Sequence, residues 1–284
     1  MSSNELQQSG PAVTSIELEC LKLTGGLFSR KKVGVVVEKP FSININGRHL
    51  ATASITPGME KEFVTGYLFG QGFIESVQEL KSVIINDYDA EVTVKSGSGV
   101  SRMPEETGYH IVSGGGRVAY YSKTEYPEIQ AGLKIKKDII FRAMNTVFAE
   151  SGIYQDTEGV HSAGLFDAEG NILCIVEDIG RHNTLDKLIG YALMNNIDCG
   201  GAFLASTGRM ASEMVGKICR AGIPVVATKT AVTDKGIEIG RRYGMTVIGF
   251  VRDAGTRINT DMETRIIAEP GMKIYTHAER ILCN

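Results

Sequence analysis

Four short stretches of this chain combine cations, hydroxyls and glycine, and each directly follows an apolar run. After NILCIV come Glu177, Asp178, Ile179, Gly180, Arg181, His182 and Asn183. After GAFLA come Ser206, Thr207, Gly208 and Arg209. After IPVVA come Thr228, Lys229 and Thr230, and after MTVIG come Phe250, Val251, Arg252, Asp253, Ala254 and Gly255. Each stretch therefore offers a cation: Arg181, Arg209, Lys229 or Arg252. A guanidinium grips phosphate oxygens through a two-pronged fork, and glycine lets backbone amides come close. Glu177, Asp178 and Asp253 supply acceptors for a base or ribose. The chemistry is recognition of a phosphorylated ligand, most simply a nucleotide pyrophosphate. The plainer alternative for any one stretch is structural. Loop cations are often solvated surface charge, Asn183 suits a helix cap with Asp186 as its capping partner, and Asp186 lies one turn from His182, where it orients the imidazole.

The elements between these stretches decide whether they meet. Residues 33–39, VGVVVEK, read as a strand, and FSININGRHLATAS as a hairpin around Asn46-Gly47. TPGMEKEFVTGYLFGQGF holds a short amphipathic helix, and KSVIIND and AEVTVK are strands around a DYD turn. Residues 96–118 are rich in glycine and serine and read as an inter-domain link or loop. From there the rhythm changes. Ile139, Ile140, Ala143, Val147 and Phe148 fall at helical spacing, as do Leu185, Leu188, Ile189, Ala192 and Leu193, and Ala211, Met214, Val215 and Ile218. DKGIEIGRRYG is a further helix, and HSAGLFD, NILCIVED, GAFLAS, IPVVAT and MTVIGFV are strands. Alternating strands and helices predict a largely parallel sheet with helices on its faces. The fold class is α/β: a tail over residues 1–30, a small α+β domain over 31–130 that includes the glycine-rich loop, and an α/β domain over 131–284. In such sheets ligands sit beyond the carboxyl ends of the strands, near helix N-termini whose free amides favour anions. The four stretches all occupy such ends.

Bulk properties exclude several classes. The chain has 284 residues, 43% hydrophobic and 22% charged, with a formal net charge of −3. That is an ordinary globular composition, and it speaks against a general nucleic-acid coat or a polybasic membrane binder. No apolar run approaches a spanning helix, and the first residues lack a signal-peptide pattern. The five cysteines, Cys20, Cys174, Cys199, Cys219 and Cys283, are scattered, so reduced cytoplasmic thiols are expected rather than a disulfide framework or a zinc knuckle.

Other chemistries fail at the motif level. Gly216-Lys217 is followed by Ile218, and position 211 is alanine, so no phosphate-binding Walker loop exists there. Gly114, Gly116 and Ala119 match a dinucleotide fingerprint only nominally, because AYYSKTEYPE is not helical in pattern. His161-Ser162-Ala163 lacks the glutamate of a zinc deaminase, and no Cys-x-x-Cys follows. G-x-S-x-G is absent. His49, His110 and His277 are isolated in sequence.

Long segments resemble one family. They are VVVEKPFSININGRHLATASITPGMEKEFVTGYLFGQGFI, GVHSAGLFDAEGNILCIVEDIGRHNTLDKLIG, STGRMASEMVGKICRAGIPVVATKTAV, GMTVIGFVR and YTHAER. In content and order they are similar to the FdhD family, the formate dehydrogenase accessory sulfurtransferases; EDIGRHNTLDK and GRMASEMVGK are its most specific motifs. The resemblance implies a C-terminal three-layer α/β/α domain similar to cytidine deaminase, without its zinc. It implies a cytoplasmic homodimer that binds bis-molybdopterin guanine dinucleotide, with GDP as a mimic of its nucleotide arms. Sulfur would come from a cysteine desulfurase and pass to the cofactor before insertion into an apo formate dehydrogenase, or another molybdenum or tungsten enzyme. The family's cofactor segment falls here on Phe250 to Gly255. One departure matters. The family carries persulfide on the first cysteine of a Cys-x-x-Cys loop; this chain has Gly114 and Arg117 at those positions. A persulfide carrier needs an accessible thiolate. Two further functions therefore stand beside sulfur transfer: an escort that holds the cofactor without moving sulfur, and a regulator that responds to a guanine nucleotide.

Overall fold

The computed structural model describes residues 12–95, 109–111, 125–130, 132–253, 257–259, 264–266 and 269–283. The first described elements are β1 (Ser15–Thr24) and β2 (Leu27–Val36), an antiparallel ribbon paired only with itself. This differs from the expected tail to residue 30 and strand from 33. Alternating apolar and charged residues on either side of Gly25-Gly26 are the pattern of a two-residue hairpin. Next come β3 (Lys39–Ile45) and β4 (Arg48–Ile55), joined at Asn46 and Gly47 with φ of 49° and 75°, as the Asn-Gly pair requires. α1 (Glu60–Gly70) precedes β5 (Leu80–Ile85) and β6 (Asp89–Val94). Within the stretch read as a link, β7 (Tyr109–Ile111) pairs in parallel with β4 and completes a five-stranded sheet in the order β5-β6-β3-β4-β7.

The second part holds β8 (Ile135–Lys136), α2 (Lys137–Ala149), α3 (Gly152–Thr157), β9 (His161–Asp167), β10 (Ile172–Asp178), α4 (Arg181–Met194) and β11 (Ala202–Ser206). It continues with α5 (Ser212–Arg220), β12 (Val225–Thr228), α6 (Asp234–Arg242) and β13 (Thr246–Arg252). Last are β14 (Arg257–Asn259), β15 (Thr264–Ile266), β16 (Gly271–Ile274) and β17 (Ile281–Leu282). Its six-stranded sheet runs β10-β9-β11-β12-β13-β16. The sheet is mixed rather than largely parallel: β9 is antiparallel to both β10 and β11, and β16 to β13. Only the β11-β12-β13 steps pair in parallel; α4 also returns the chain from β10 to a parallel β11, but β9 lies between those two strands.

Side chains alternate between two cores. Leu165, Val176, Leu204 and Val226 face α4 and α5, with Leu185, Leu188, Met214 and Val215. Phe166, Phe203, Ala205 and Ala227 face α2, with Ile140, Ala143 and Val147. The second part is therefore three layers, helix, sheet and helix. The first core extends without a break into the five-stranded sheet through Phe41, Ile43, Phe63 and Leu68. α1 lies in the middle of it, so every residue from Phe63 to Phe69 is buried, and the expected amphipathic stripe has no solvent side to face. α1 and α4 cross with almost no gap: a Cβ at Gly66 would stand 1.9 Å from the Asp186 carbonyl oxygen, and one at Gly190 1.8 Å from that of Glu62. Glycine at both positions is what lets the two backbones touch. No described helix is long and apolar enough to cross a membrane.

Candidate functional site

β10, β11, β12 and β13 all point the same way, since β10 and β11 are each antiparallel to the intervening β9. The four cation-bearing stretches therefore end on one edge of one sheet. The start of β9, His161, lands on that edge as well. What the side chains do there divides sharply.

The acids and amide of the first stretch turn inward. Asp178 is fully buried. Its Oδ2 accepts the Thr56 backbone N–H at 3.0 Å and lies 2.8 Å from Lys187 Nζ. Its Oδ1 accepts the Gly180 N–H at 2.9 Å and Asn183 Nδ2 at 2.8 Å. Asn183 also donates to the Ser54 carbonyl at 2.7 Å, and Lys187 to the Thr56 carbonyl at 2.8 Å. Asp178, Asn183 and Lys187 thus form a bracket holding the end of β4 against the end of β10. Glu177 accepts the backbone N–H groups of Ile153 at 3.1 Å and Tyr154 at 2.8 Å, which caps α3; burial raises its pKa. Gly180, not Asn183, is the N-cap of α4. Asp186 orients nothing on His182. It is buried in an ion pair with Lys217, at 2.6 Å and 2.7 Å. Ser206 is also internal, its Oγ accepting the Gly208 N–H at 3.1 Å.

The basic residues of the same stretches turn outward on the α4 face. Arg181 opens α4, packed so tightly on the next strand end that a Cβ at Gly208 would stand 2.9 Å from its own Cβ. Burial and the neighbouring Arg209 lower the Arg181 pKa, with only Glu213 acting the other way. His182 Nε2 lies 3.3 Å from Glu213 Oε2, an ion-pair contact without hydrogen-bond alignment. The Nε of Arg181 is buried without a hydrogen-bond partner among the described residues. Burial, then Arg181 and Arg209, push the His161 pKa down. Glu213 is held below the usual carboxylate range by His182, against its own desolvation. Arg181, Arg209, His161 and His182 gather here, and Glu213 is the carboxylate that faces His182. The excess is positive, partly desolvated and at the N-terminus of a helix of four turns, which is what an anion requires.

A second group lies on the α2 face. Lys229 Nζ stands 3.9 Å over the Phe148 ring, and burial and Arg252 lower its pKa. Lys229, Arg252 and Asp253 line a shallow pocket with Phe141, Met144, Asn145 and Phe148; Asn145 donates to Asp253 at 2.8 Å. Phe250 sits at φ 54°, a strained value for a bulky residue, where β13 bulges away from β16. That turn sets its ring between Arg252 at 5.2 Å and Lys273 at 4.6 Å. Val251 points into the core and offers only backbone. Ala254, Gly255, Gly114 and Arg117 lie outside the described residues.

Of the residues expected at the site, Arg181, His182, Arg209, Lys229, Phe250, Arg252 and Asp253 line the edge. The side chains of Glu177, Asp178, Asn183, Ser206 and Val251 serve the interior instead. His161, Glu213, Asn145 and Phe148 were missed. Only His161 had a local sign: the first residue of a strand antiparallel to β10 must share β10's final edge. Among the described residues no cluster of three or more His, Cys, Asp or Glu side chains is arranged to hold a metal ion.

The chain is a layered α/β protein whose successive strand ends carry cations, at the edge where such sheets offer ligand sites. Comparison with known proteins narrows the class. The model of the FdhD/NarQ family matches residues 36–282, and the chain belongs to that family. A relative in Methanothermobacter thermautotrophicus, named sulfur carrier protein FdhD, is 30% identical over 249 residues, covering 87% of this chain and 91% of that one. One of the same name in Bacillus pumilus is 31% identical over 262 residues, covering 90% and 93%. A crystal structure assigned as a formate dehydrogenase accessory protein from Desulfotalea psychrophila shares the fold, with a TM-score of 0.77 at 24% identity, over 95% of this chain and all of that one.

Proposed function

We propose that this chain binds molybdopterin guanine dinucleotide cofactor destined for a formate dehydrogenase, or another molybdenum or tungsten enzyme, and escorts it in the cytoplasm as a homodimer. The observation that carries the proposal is the Arg181–Arg209 corner. Arg209 is near enough to Arg181 to lower its pKa, Glu213 faces His182, and Arg181 Nε is buried without a hydrogen-bond partner among the described residues. A pyrophosphate would neutralise both guanidiniums and satisfy that N–H. The Lys229–Arg252 pocket, on the opposite face of the same edge, provides a second cationic seat with aromatic rings beside it. A cofactor with two pyrophosphate-bearing arms has a use for both. The Desulfotalea psychrophila protein of the same fold, a formate dehydrogenase accessory protein, suggests the client class.

Escort is favoured over sulfur transfer by the thiols. Gly114 and Arg117 hold no sulfur. Burial pushes Cys174 and Cys219 up to about 12 and Cys199 up to about 11, so all three stay protonated at neutral pH. Cys20 and Cys283 are exposed. Incubation with a cysteine desulfurase and labelled cysteine, followed by non-reducing mass analysis, tests the choice. The expected result is no persulfide adduct, with a Cys-x-x-Cys relative labelled in parallel. A stable adduct on one cysteine would restore the transferase.

A further inference from the structure

We infer that the β1-β2 ribbon is an exchanged arm, whose apolar and basic outer half packs on the acidic β5-β6 hairpin of a second copy of this chain. The proposal rests on the homodimer reading above and names its contact. Among the described residues the ribbon pairs with no third strand, and its packing is on α3 near its root, where Gly34 abuts Asp156. A two-stranded ribbon is marginal in water without a covering surface. Its side chains call for one. Leu21 is 65% exposed, Leu27 77% and Phe28 71%. The large apolar residues from Ile16 to Val35 divide between the two faces of the ribbon, and Leu21, Leu23 and Phe28 together expose roughly 400 Å² on one of them. A contiguous apolar patch of a few hundred Å² with a polar rim is what an interaction site presents.

The register sorts the ribbon lengthwise. On one face the root half is closed by ion pairs, Lys32 to Glu17 at 2.8 Å and Arg30 to Glu19 at 2.9 Å, and the outer half shows Leu21, Leu23 and Phe28. Lys22 and Lys31 flank the outer half on the other face. The outer half is thus apolar with basic margins. The chain carries the complement at the edge of its five-stranded sheet. There β5 and the following turn expose Ile84 and Tyr88 beside Asp87 and Glu91. That hairpin sits at the ribbon's root: the Tyr88 carbonyl accepts the Ser42 N–H, and Lys39 lies 5.8 Å over the Tyr88 ring. A ribbon of ten-residue strands carries its tip roughly 30 Å away from that root, so the tip and the hairpin of one chain do not meet. A two-fold axis beside the root brings each tip to the other copy's hairpin and closes the assembly.

Light scattering with size exclusion on the full chain tests this. The wild type is expected to be a dimer, and Leu23→Glu/Phe28→Glu a monomer with the unfolding midpoint of the wild type diluted below its dimer dissociation constant. Lys31→Glu or Asp87→Lys alone is expected to weaken dimerisation at least tenfold, and the two together to recover it. A monomeric wild type would sink the homodimer reading and the arm together. A wild-type dimer that survives the double glutamate would leave the dimer standing and sink the arm alone. Hydrogen exchange on the wild type needs no variant: ribbon amides are expected to lose protection on dilution through the dimer equilibrium, and equal exchange at both concentrations would overturn the proposal.

Discussion

Asp178 and Arg181 stand three residues apart at one strand-to-helix corner and do opposite jobs. Asp178, with Asn183 and Lys187, closes a bracket between the first and second parts of the chain. Arg181 faces out, near Arg209 and without a hydrogen-bond partner for its Nε among the described residues. What separates them is coverage. The end of β4 supplies Thr56 and Ser54 to the inward groups, whereas the outward groups meet mainly other cations. A cluster of charge after an apolar run therefore has two possible meanings, and the neighbouring layer decides which applies to each side chain.

The sharpest way to break this contrast is within the bracket. Lys187→Met leaves the buried Asp178 carboxylate without its counter-charge, and is expected to lower unfolding free energy by about 3–5 kcal/mol in denaturant titration. A loss below 1 kcal/mol would mean that the bracket is open to water. Gly190→Ala acts on the same seam by forcing α1 and α4 apart, with an expected loss of about 3 kcal/mol. On the outward side the effect moves from stability to binding. Arg181→Ala/Arg209→Ala is expected to weaken GDP binding roughly 10- to 100-fold, the loss of charge-assisted contacts worth about 1.5–3 kcal/mol, with an unchanged unfolding midpoint.

The pH dependence is smaller. His161 is held below its ordinary pKa by burial and by Arg181 and Arg209. Between that lowered value and 6.5 the unfolded chain binds more protons than the folded one, so this group's contribution to stability is full above 6.5 and declines as pH falls through the window. A bound anion offsets the arginines, and binding then takes up a proton. GDP affinity is expected to strengthen from pH 7.5 to 6, by at most about tenfold per unit, and His161→Gln to flatten the slope. The smallest expected effect is at Lys229→Met, roughly a two- to fivefold loss of GDP affinity, the size of a contact worth about 0.5–1 kcal/mol.

Much of this was legible in the sequence where local chemistry settles it. Asn46-Gly47 dictated its hairpin, helical spacing placed α2 and α4, and the strand ends identified one edge. The role of Asp178 was not legible, because its partner Thr56 lies 122 residues away. Nor was the division of the edge between two faces, which follows from the alternation of side chains in the folded sheet. The β1-β2 ribbon had a readable period and a Gly25-Gly26 turn, but it lies in the stretch taken for a tail. β7 pairs with a strand more than fifty residues earlier, beyond the reach of a local pattern.

Calorimetry with GDP on the wild type, on Arg181→Ala/Arg209→Ala and on Lys187→Met at a temperature where all three are folded tests the central claim most directly. The expected result is saturable binding to the wild type and to Lys187→Met, at least tenfold weaker binding to the arginine variant, and weaker heat with ADP, which shares the pyrophosphate but not the guanine. Equal affinity in the arginine variant, or equal and negligible heats for GDP and ADP in the wild type, would contradict a guanine-nucleotide site at this corner.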